Sequence, residues 1–287
     1  HIPYAWCVIG MAVFTGIYVI LVGYMATAIN DFIQGIIMLA GIIVVIAAVL
    51  NGQGGFLEAV GRMAEIPSDV EITLGQPGAF TSFFGPDPGN LLGVVILTSL
   101  GTWGLPQMIG KFYAIKDEKS INTGTVISTV FAIVVSGGCY FLGGFARLFD
   151  APAIYDEAGA VVYDSIIPHM LSALPDILIG IVVVLVLSAS MSTLSSLVIA
   201  ASPTRTVDFI KRIFAPQMSE KKHVLIIRLF CAVFVVISVV LAVNPNSLIT
   251  SLMSLSWGTL AGCFLGPFLY GLFLKSVTKS AVWSAII

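Results

Sequence analysis

The apolar residues of this chain come in long blocks rather than in amphipathic stripes. Runs such as Ile36–Leu50 and Ile177–Leu187 contain no charged residue and have no polar face. Such segments are stable where lipid replaces water, and a helix needs about 20 residues to cross the apolar core of a bilayer. The pattern predicts seven complete membrane-spanning helices and the start of an eighth: Tyr4–Met25, Asp31–Leu50, Asn90–Ile109, Ile121–Leu148, Pro175–Pro203, Val224–Val243, Ser247–Leu274, and a partial span from Ser280.

Composition supports the same class of protein. Hydrophobic residues make up 58% of the 287 residues, charged residues only 10%, and the mean hydropathy is +1.04. About a quarter of the residues of a soluble globular protein are charged. The sequence therefore predicts an all-α, polytopic protein of the cell membrane. Because the chain begins at His1 without a basic leader and ends inside an apolar run, we expect it to be a fragment of a longer protein.

The charges of the connecting loops predict the orientation of the spans. Residues 51–89 contain five acidic residues and one arginine, and residues 150–176 contain five acidic residues and no lysine or arginine. Basic loops stay in the cytoplasm. The basic clusters follow the third, fifth and seventh spans: Lys111, Lys116, Lys119; Arg205, Lys211, Arg212, Lys221, Lys222; Lys275, Lys279. Residues 51–89 and 149–174 are thus predicted to be extracytoplasmic loops, each with a short helix, near Gly55–Ile66 and Val162–Leu174.

The third span contains helix breakers at membrane depth. Gly101, Gly104 and Pro106 lie within six residues, and Pro106 removes one amide donor from the helix. A broken helix frees backbone carbonyls and amides to hold ions or substrates. A plain proline kink, packed against neighbouring helices, is the alternative.

The fifth span is rich in hydroxyl groups. Six of the nine residues from Ser188 to Ser196 are serine or threonine. Ala189, Ser192 and Ser196 fall along one helix face, and hydroxyl and carbonyl oxygens at this spacing can coordinate a hard cation. The alternative is a stripe of small residues for close helix packing, with the hydroxyls bonded to the preceding turn.

An acidic residue lies at the predicted start of the second span. Asp31 either caps the N-terminus of that helix or acts as a charged ligand for a cation, with Gln34 on the same face. The sequence contains no Gly-rich phosphate loop, no His/Cys metal cluster and no nucleophile–base pair, so we expect neither an enzyme nor a nucleic-acid partner.

Four segments together resemble the sodium:solute symporter family, which includes bacterial sodium/proline and sodium/pantothenate symporters. They are Gly23–Ala26 with Asn30–Gln34, Thr102–Gln107 with Lys111–Ala114, Met191–Ser196 with Thr206–Lys211, and Gly258 with Gly271–Lys275. The resemblance runs in order along essentially the whole chain. It implies a single transport domain over residues 1–287, in a bacterial inner membrane, with a LeuT-type inverted-repeat core. This chain would hold core helices four to ten and the start of the eleventh, and the missing N-terminal helices would be its partners.

The resemblance also implies sodium as the coupling ion. The family's main sodium site corresponds to Ala189, Ser192 and Thr193. A second sodium, present in some members, corresponds to Asp31 with serines of the fifth span, Ser192, Ser195 and Ser196. Each of these positions carries a residue suited to binding a cation.

The substrate is expected to be a small organic solute, such as proline, another small amino acid or a carboxylate. In sugar-transporting members a tyrosine precedes the tryptophan of the broken helix, whereas Thr102 stands at that position here. The candidate pocket is lined by Ser99, Thr102, Trp103, Gln107, Ser254 and Trp257. The alternatives are a pantothenate- or sugar-type symporter, a membrane sensor built on a symporter core, and an uncoupled channel.

Overall fold

A computed structural model describes residues 3–22, 24–112, 115–149, 154, 155, 159, 161–214, 217–243 and 249–286. Over these residues the fold is helical, and one isolated bridge, between Tyr155 and Val161, is the only β pairing among them. The α-helices are α1 (Tyr4–Val22), α2 (Tyr24–Gly52), α3 (Phe56–Glu65), α4 (Pro88–Ser99), α5 (Pro106–Phe112), α6 (Glu118–Phe131), α7 (Gly137–Gly144), α8 (Tyr163–Ser172), α9 (Asp176–Pro203), α10 (Glu220–Val243), α11 (Ile249–Phe273) and α12 (Lys279–Ile286).

Six stretches of the described chain are helical, long and apolar enough to cross a membrane. They are Tyr4–Leu21, Thr27–Gly52, Glu118–Phe149, Asp176–Phe214, Glu220–Val243 and Ser251–Phe273. The predicted third span, Asn90–Ile109, is absent from this set because it is divided between α4 and α5. The expected all-α polytopic membrane fold is confirmed.

Two expectations about helix ends are wrong. The second span does not begin at Asp31, because α2 begins seven residues earlier, at Tyr24. Asp31 therefore lies two turns inside a helix and does not cap it. Pro203 does not end the fifth span either. Although Pro203 lacks an amide donor, the helix continues as a π-helix over Thr204–Phe214, whose wider turns shift the hydrogen bonds by one residue.

One compact unit comprises residues His1–Gly41 and Gly180–Asn246. It holds α1, the first half of α2, most of α9 and α10. Its core is apolar: Ala12, Val19, Val198, Cys231 and Val235 are buried there. A side chain at Gly41 would meet Leu185 at 2.8 Å, so this glycine lets α2 and α9 approach closely. All candidate sodium ligands lie in this unit.

The other unit comprises residues Ile42–Ile179 and Ser247–Ile287. Here Ala59 and Met63 of α3 pack on Phe145, which anchors the loop that contains α3 to the helices of the unit. Arg147 reinforces this contact, since it forms an ion pair of 3.0 Å with Asp69 and stacks on a phenylalanine ring of the same loop. Hydrogen bonding to Arg147 lowers the pKa of the Asp69 carboxyl. All candidate substrate residues lie in this unit.

Candidate functional site

The hydroxyl-rich segment of α9 divides into a buried face and a more open one. The buried residues follow helical spacing: Ser188, Met191, Ser195, Val198 and Ser202. Of the remaining candidate ligands, Ala189, Ser192 and Ser196 are half-buried and Thr193 is exposed. Ser192 and Ser196 flank the buried face, whereas Thr193 lies nearly opposite Ser195. The predicted ligands therefore do not all share one face.

Two of these hydroxyls bond to the preceding turn of α9. Thr193 Oγ1 donates to the Ala189 carbonyl at 2.9 Å, and Ser195 Oγ donates to the Ser192 carbonyl at 2.9 Å. The hydrogen bonds expected for the packing alternative are thus present at both positions. They leave the oxygen atoms able to bind a cation, because a hydroxyl that donates its proton keeps its lone pairs and a carbonyl has two.

An open groove runs along α9 beside the exposed candidate ligands. It has a volume of about 430 Å³ and is lined by Ala189, Ser190, Thr193, Leu194 and Leu197. Its oxygen atoms include the bonded pair of Thr193 and Ala189. The groove therefore offers hydroxyl and carbonyl ligands on one side, and a further protein segment would have to supply the remaining ligands of a cation.

The buried face of α9 meets a tyrosine that sequence reasoning missed. Tyr18 Oη of α1 donates to the Met191 carbonyl at 3.3 Å. The side chains of Ser195, Thr15 and Asn30 lie close to the same phenol, and the Asp31 carboxylate lies within electrostatic range of it. Tyr18 and Thr15 are polar residues within an apolar span, so the rule that singled out Asp31 could have found them.

Two of the predicted sodium ligands, on different helices, act on the same phenol. Ser195 of α9 lies next to the Tyr18 hydroxyl, and the Asp31 carboxylate of α2 acts on it electrostatically. Gln34, one turn beyond Asn30 on α2, is only 5% exposed. A carboxylate, an amide and two hydroxyls in one apolar unit form an oxygen-rich cluster, which suits a hard cation.

In the other unit the third span is broken, not merely kinked. The helix α4 ends at Ser99, a 3₁₀ turn covers Gly101–Gly104, and α5 starts at Pro106. Thr102 Oγ1 donates to the Ser99 carbonyl at 3.0 Å, and this hydrogen bond ties the 3₁₀ turn to the end of α4. A Cβ atom at Gly104 would lie 2.9 Å from the backbone nitrogen of Leu265, so a residue without a side chain is required there.

One face of α11 packs against this break. A Cβ atom at Gly101 would lie 3.7 Å from Ala261, one turn before Leu265 on α11. Ser254 and Trp257 share that face, at positions i and i+3 relative to Ala261 at i+7. Of the candidate substrate residues, Thr102, Gln107 and Trp257 are half-buried, whereas Ser99, Trp103 and Ser254 are exposed. The break and α11 are brought together, with candidate side chains on both elements.

The chain matches a family model along its whole length. The model is that of the sodium:solute symporter family, and the match covers residues 1–287. The chain belongs to the sodium:solute symporter family. Of the motifs that carry the resemblance, only Gly23, Tyr113 and Ala114 lie outside the described residues. The family is one of symporters, which agrees with the expectation of a transporter rather than an enzyme.

Among the similar curated proteins are two from Bacillus subtilis (strain 168). The chain is 30% identical to the high-affinity proline transporter PutP over 292 residues, covering 98% of the chain and 56% of the relative. It is 27% identical to the osmoregulated proline transporter OpuE, covering 94% of the chain and 53% of the relative. The sodium/pantothenate symporter of Haemophilus influenzae is 26% identical, with 100% and 57% covered. The chain spans about half the length of the curated relatives it matches.

Proposed function

We propose that this chain is the larger part of the transport core of a sodium-coupled symporter, which imports a small organic solute by alternating access. The observation that carries the proposal is that α9 presents oxygen atoms on two sides. On one side Ala189 and Thr193 line an open groove; on the other, Ser195 lies next to the Tyr18 phenol, on which the Asp31 carboxylate acts electrostatically. Membership of the symporter family supports the same conclusion.

The groove suits the main sodium site. The Ala189 carbonyl and the hydroxyls of Ser192 and Thr193 supply ligands from α9, and the N-terminal core helices supply the others. In a LeuT-type core this arrangement holds two moving parts together while sodium is bound. Sodium entry with the membrane potential releases about 2.3 kcal/mol per 100 mV. By linkage, bound sodium and bound solute raise each other's affinity by the same factor.

A second sodium position is proposed on the buried side of α9. Asp31, with Ser192, Ser195 and Ser196, supplies its ligands. The negative charge of Asp31 favours a cation over an anion or a neutral ligand at this position.

The solute is proposed to bind beside the break of the third span. Ser99, Thr102, Trp103 and Gln107 supply one wall, and Ser254 and Trp257 of α11 supply the other. Relatives named as proline transporters favour a small amino acid, and the relative named as a pantothenate symporter makes pantothenate the second candidate. The proposed location is a bacterial inner membrane, with the lipid bilayer, sodium and the solute as partners.

The test uses the full-length protein in proteoliposomes. An inward sodium gradient should drive accumulation of radiolabelled proline, and an equal potassium gradient should not. Unlabelled proline, pantothenate, acetate and glucose are added in parallel to identify the substrate class. Uptake of every solute without sodium dependence would refute the proposal.

The residues of the main site are tested with a double substitution. Ser192→Ala with Thr193→Ala should raise the sodium concentration for half-maximal uptake roughly tenfold or more, since two oxygen ligands are lost at about 1 kcal/mol each. Thr125→Ala with Ser128→Ala is the matched control, because these hydroxyls on α6 also bond to preceding carbonyls, at 2.8 Å and 3.1 Å. An equal effect of both pairs on sodium dependence would refute the assignment to α9.

A further inference from the structure

Many described hydroxyl groups in the helices bond to their own helix. They donate to a carbonyl three or four residues back, as at Thr98, Thr125, Thr193, Ser202, Thr206, Ser238 and Thr259. This bond satisfies a hydroxyl in an apolar environment and holds it against the helix backbone. A buried hydroxyl that departs from the pattern therefore needs another explanation.

Thr15 on α1 is such an exception. Its side chain is completely buried, at 0% exposure, and its Oγ1 atom makes no hydrogen bond to any residue that the structure describes. It lies close enough to the Tyr18 hydroxyl for a polar interaction, but the two groups do not have the geometry of a hydrogen bond. A buried hydroxyl without a partner destabilises a folded protein, and more so within a membrane.

Two neighbouring side chains on α2 share this property. The amide nitrogen of Asn30 and the amide oxygen of Gln34 are buried and have no hydrogen-bond partner within the described chain. Asn30 lies close to Tyr18, and Gln34 is one turn further along α2. Unsatisfied polar groups on α1 and α2 thus flank the Tyr18 phenol, which contacts α9.

The chemistry of this cluster favours a hydrated cation as its ligand. Thr15 Oγ1 and the Gln34 carbonyl can bind a hard cation directly, whereas the Asn30 amide donor suits a water molecule that accompanies it. The Asp31 carboxylate, which also acts on Tyr18, supplies the negative charge. An anion would be repelled by this carboxylate, and a neutral apolar ligand would leave the polar groups unsatisfied.

Building on the proposed function, we propose that α1 contributes to the buried cation position. The Thr15 hydroxyl is a ligand of the sodium ion that Asp31 and Ser195 hold. Tyr18 is a positioning residue, because its hydrogen bond to the Met191 carbonyl fixes α9 at the turn that carries Ser195. The site thereby gains ligands from α1, in addition to those of α2 and α9.

Thr15→Val separates a ligand role from a packing role, since valine keeps the shape and removes the hydroxyl. In sodium-free buffer the purified full-length variant should unfold at the same temperature as the wild type or a higher one, because an unsatisfied polar group has been removed. Its stabilisation by added sodium should be weaker, with the half-saturating sodium concentration raised about fivefold. Thr15→Ser, which keeps the hydroxyl, should retain the wild-type sodium response.

Tyr18→Phe tests the positioning role. It should raise the half-saturating sodium concentration for uptake and alter the ratio of lithium- to sodium-driven uptake, while the maximal rate at saturating sodium is retained. Tyr140→Phe is the matched control, because Tyr140 is 64% exposed on α7. A merely structural tyrosine would change stability and maximal rate without changing cation selectivity.

The outcomes distinguish this inference from the proposed function. Sodium-dependent uptake by the wild type, with an unchanged sodium response in both Thr15→Val and Tyr18→Phe, would overturn the role of α1 and leave the symporter proposal intact. A wild type that responds to neither sodium nor lithium would overturn both. A weaker sodium response in Thr15→Val that Thr15→Ser restores supports the inference.

Discussion

Replacing Gly104 with alanine tests whether the break of the third span is held by direct contact with α11. The added Cβ atom would lie 2.9 Å from the backbone nitrogen of Leu265, 3.1 Å from its Cα and 3.1 Å from its Cβ. Non-bonded carbon atoms prefer about 3.5–4.0 Å. Because two of the three atoms belong to the backbone of a helix, no side-chain rotation can relieve the overlap, and one of the two elements must move.

The expected cost follows from this overlap. Overpacking by one methyl group typically destabilises a protein by about 1–3 kcal/mol. Gly93→Ala, in α4, is the matched control, since its Cβ atom would meet nothing within 4 Å. Within a helix that substitution stabilises by about 0.5–1 kcal/mol. The two variants are therefore expected to change stability in opposite directions.

The assay is thermal unfolding of the purified full-length protein, followed by uptake in proteoliposomes. Gly104→Ala should lower the unfolding temperature and raise the half-saturating solute concentration, because the displaced turn carries Thr102 and Trp103. Gly93→Ala should neither lower the unfolding temperature nor raise the half-saturating solute concentration. Equal stability of the two variants would show that the break does not pack on α11 as described.

Two further predictions concern residues outside the six candidate spans. Asp69→Asn should lower the free energy of unfolding by about 0.2–1 kcal/mol at pH 7, as expected for the loss of an exposed ion pair. Because Arg147 lowers the pKa of Asp69, the difference from the wild type should persist above the ordinary carboxyl pKa and vanish as the pH falls through the lowered pKa. Thermal unfolding between pH 7 and pH 3 measures this difference. Asp87→Ala should lower the free energy of unfolding by about 0.5–2 kcal/mol, because Asp87 Oδ1 accepts a hydrogen bond from the Asn90 backbone N–H at 3.0 Å and caps α4. Asp87→Asn, which can still cap the helix, should lose much less stability in the same unfolding assay. Equal losses of stability in the two variants would contradict the capping role.

Hydropathy located the membrane-spanning helices well, because an apolar run at membrane depth has few alternatives to a helix. The fifth span is predicted to begin at Pro175, and α9 begins at Asp176. Hydropathy places the start of the second span too late, because Tyr24–Asn30 is more polar than the rest of α2 and resembles a loop. The helix breakers predicted the interruption of the third span correctly, since glycine weakens a helix through its conformational freedom and Pro106 removes an amide donor.

The candidate site was less predictable, because a residue's role depends on what packs beside it. The sequence shows that Ser192 and Ser195 are close on one helix but not that only Ser195 faces the interior of its unit. The contribution of Tyr18 was missed for the same reason. The role of its hydroxyl depends on the hydrogen bond to the Met191 carbonyl, which lies 173 residues away in the chain.

The depth of Asp31 determines how the membrane voltage divides across a cation bound there. Asp31 lies four residues inside the candidate span that starts at Thr27, a rise of about 6 Å along the helix. This is about a fifth of the roughly 30 Å thickness of the apolar core. If the basic loops are cytoplasmic, as their charges predict, an ion that leaves the proposed position at Asp31 inward crosses only that fifth of the electric field, or about 0.5 kcal/mol per 100 mV. The larger part of the electrical work would then be done as the ion arrives from outside. Voltage would mainly drive loading of this proposed position, and release would depend on the sodium concentration inside the cell.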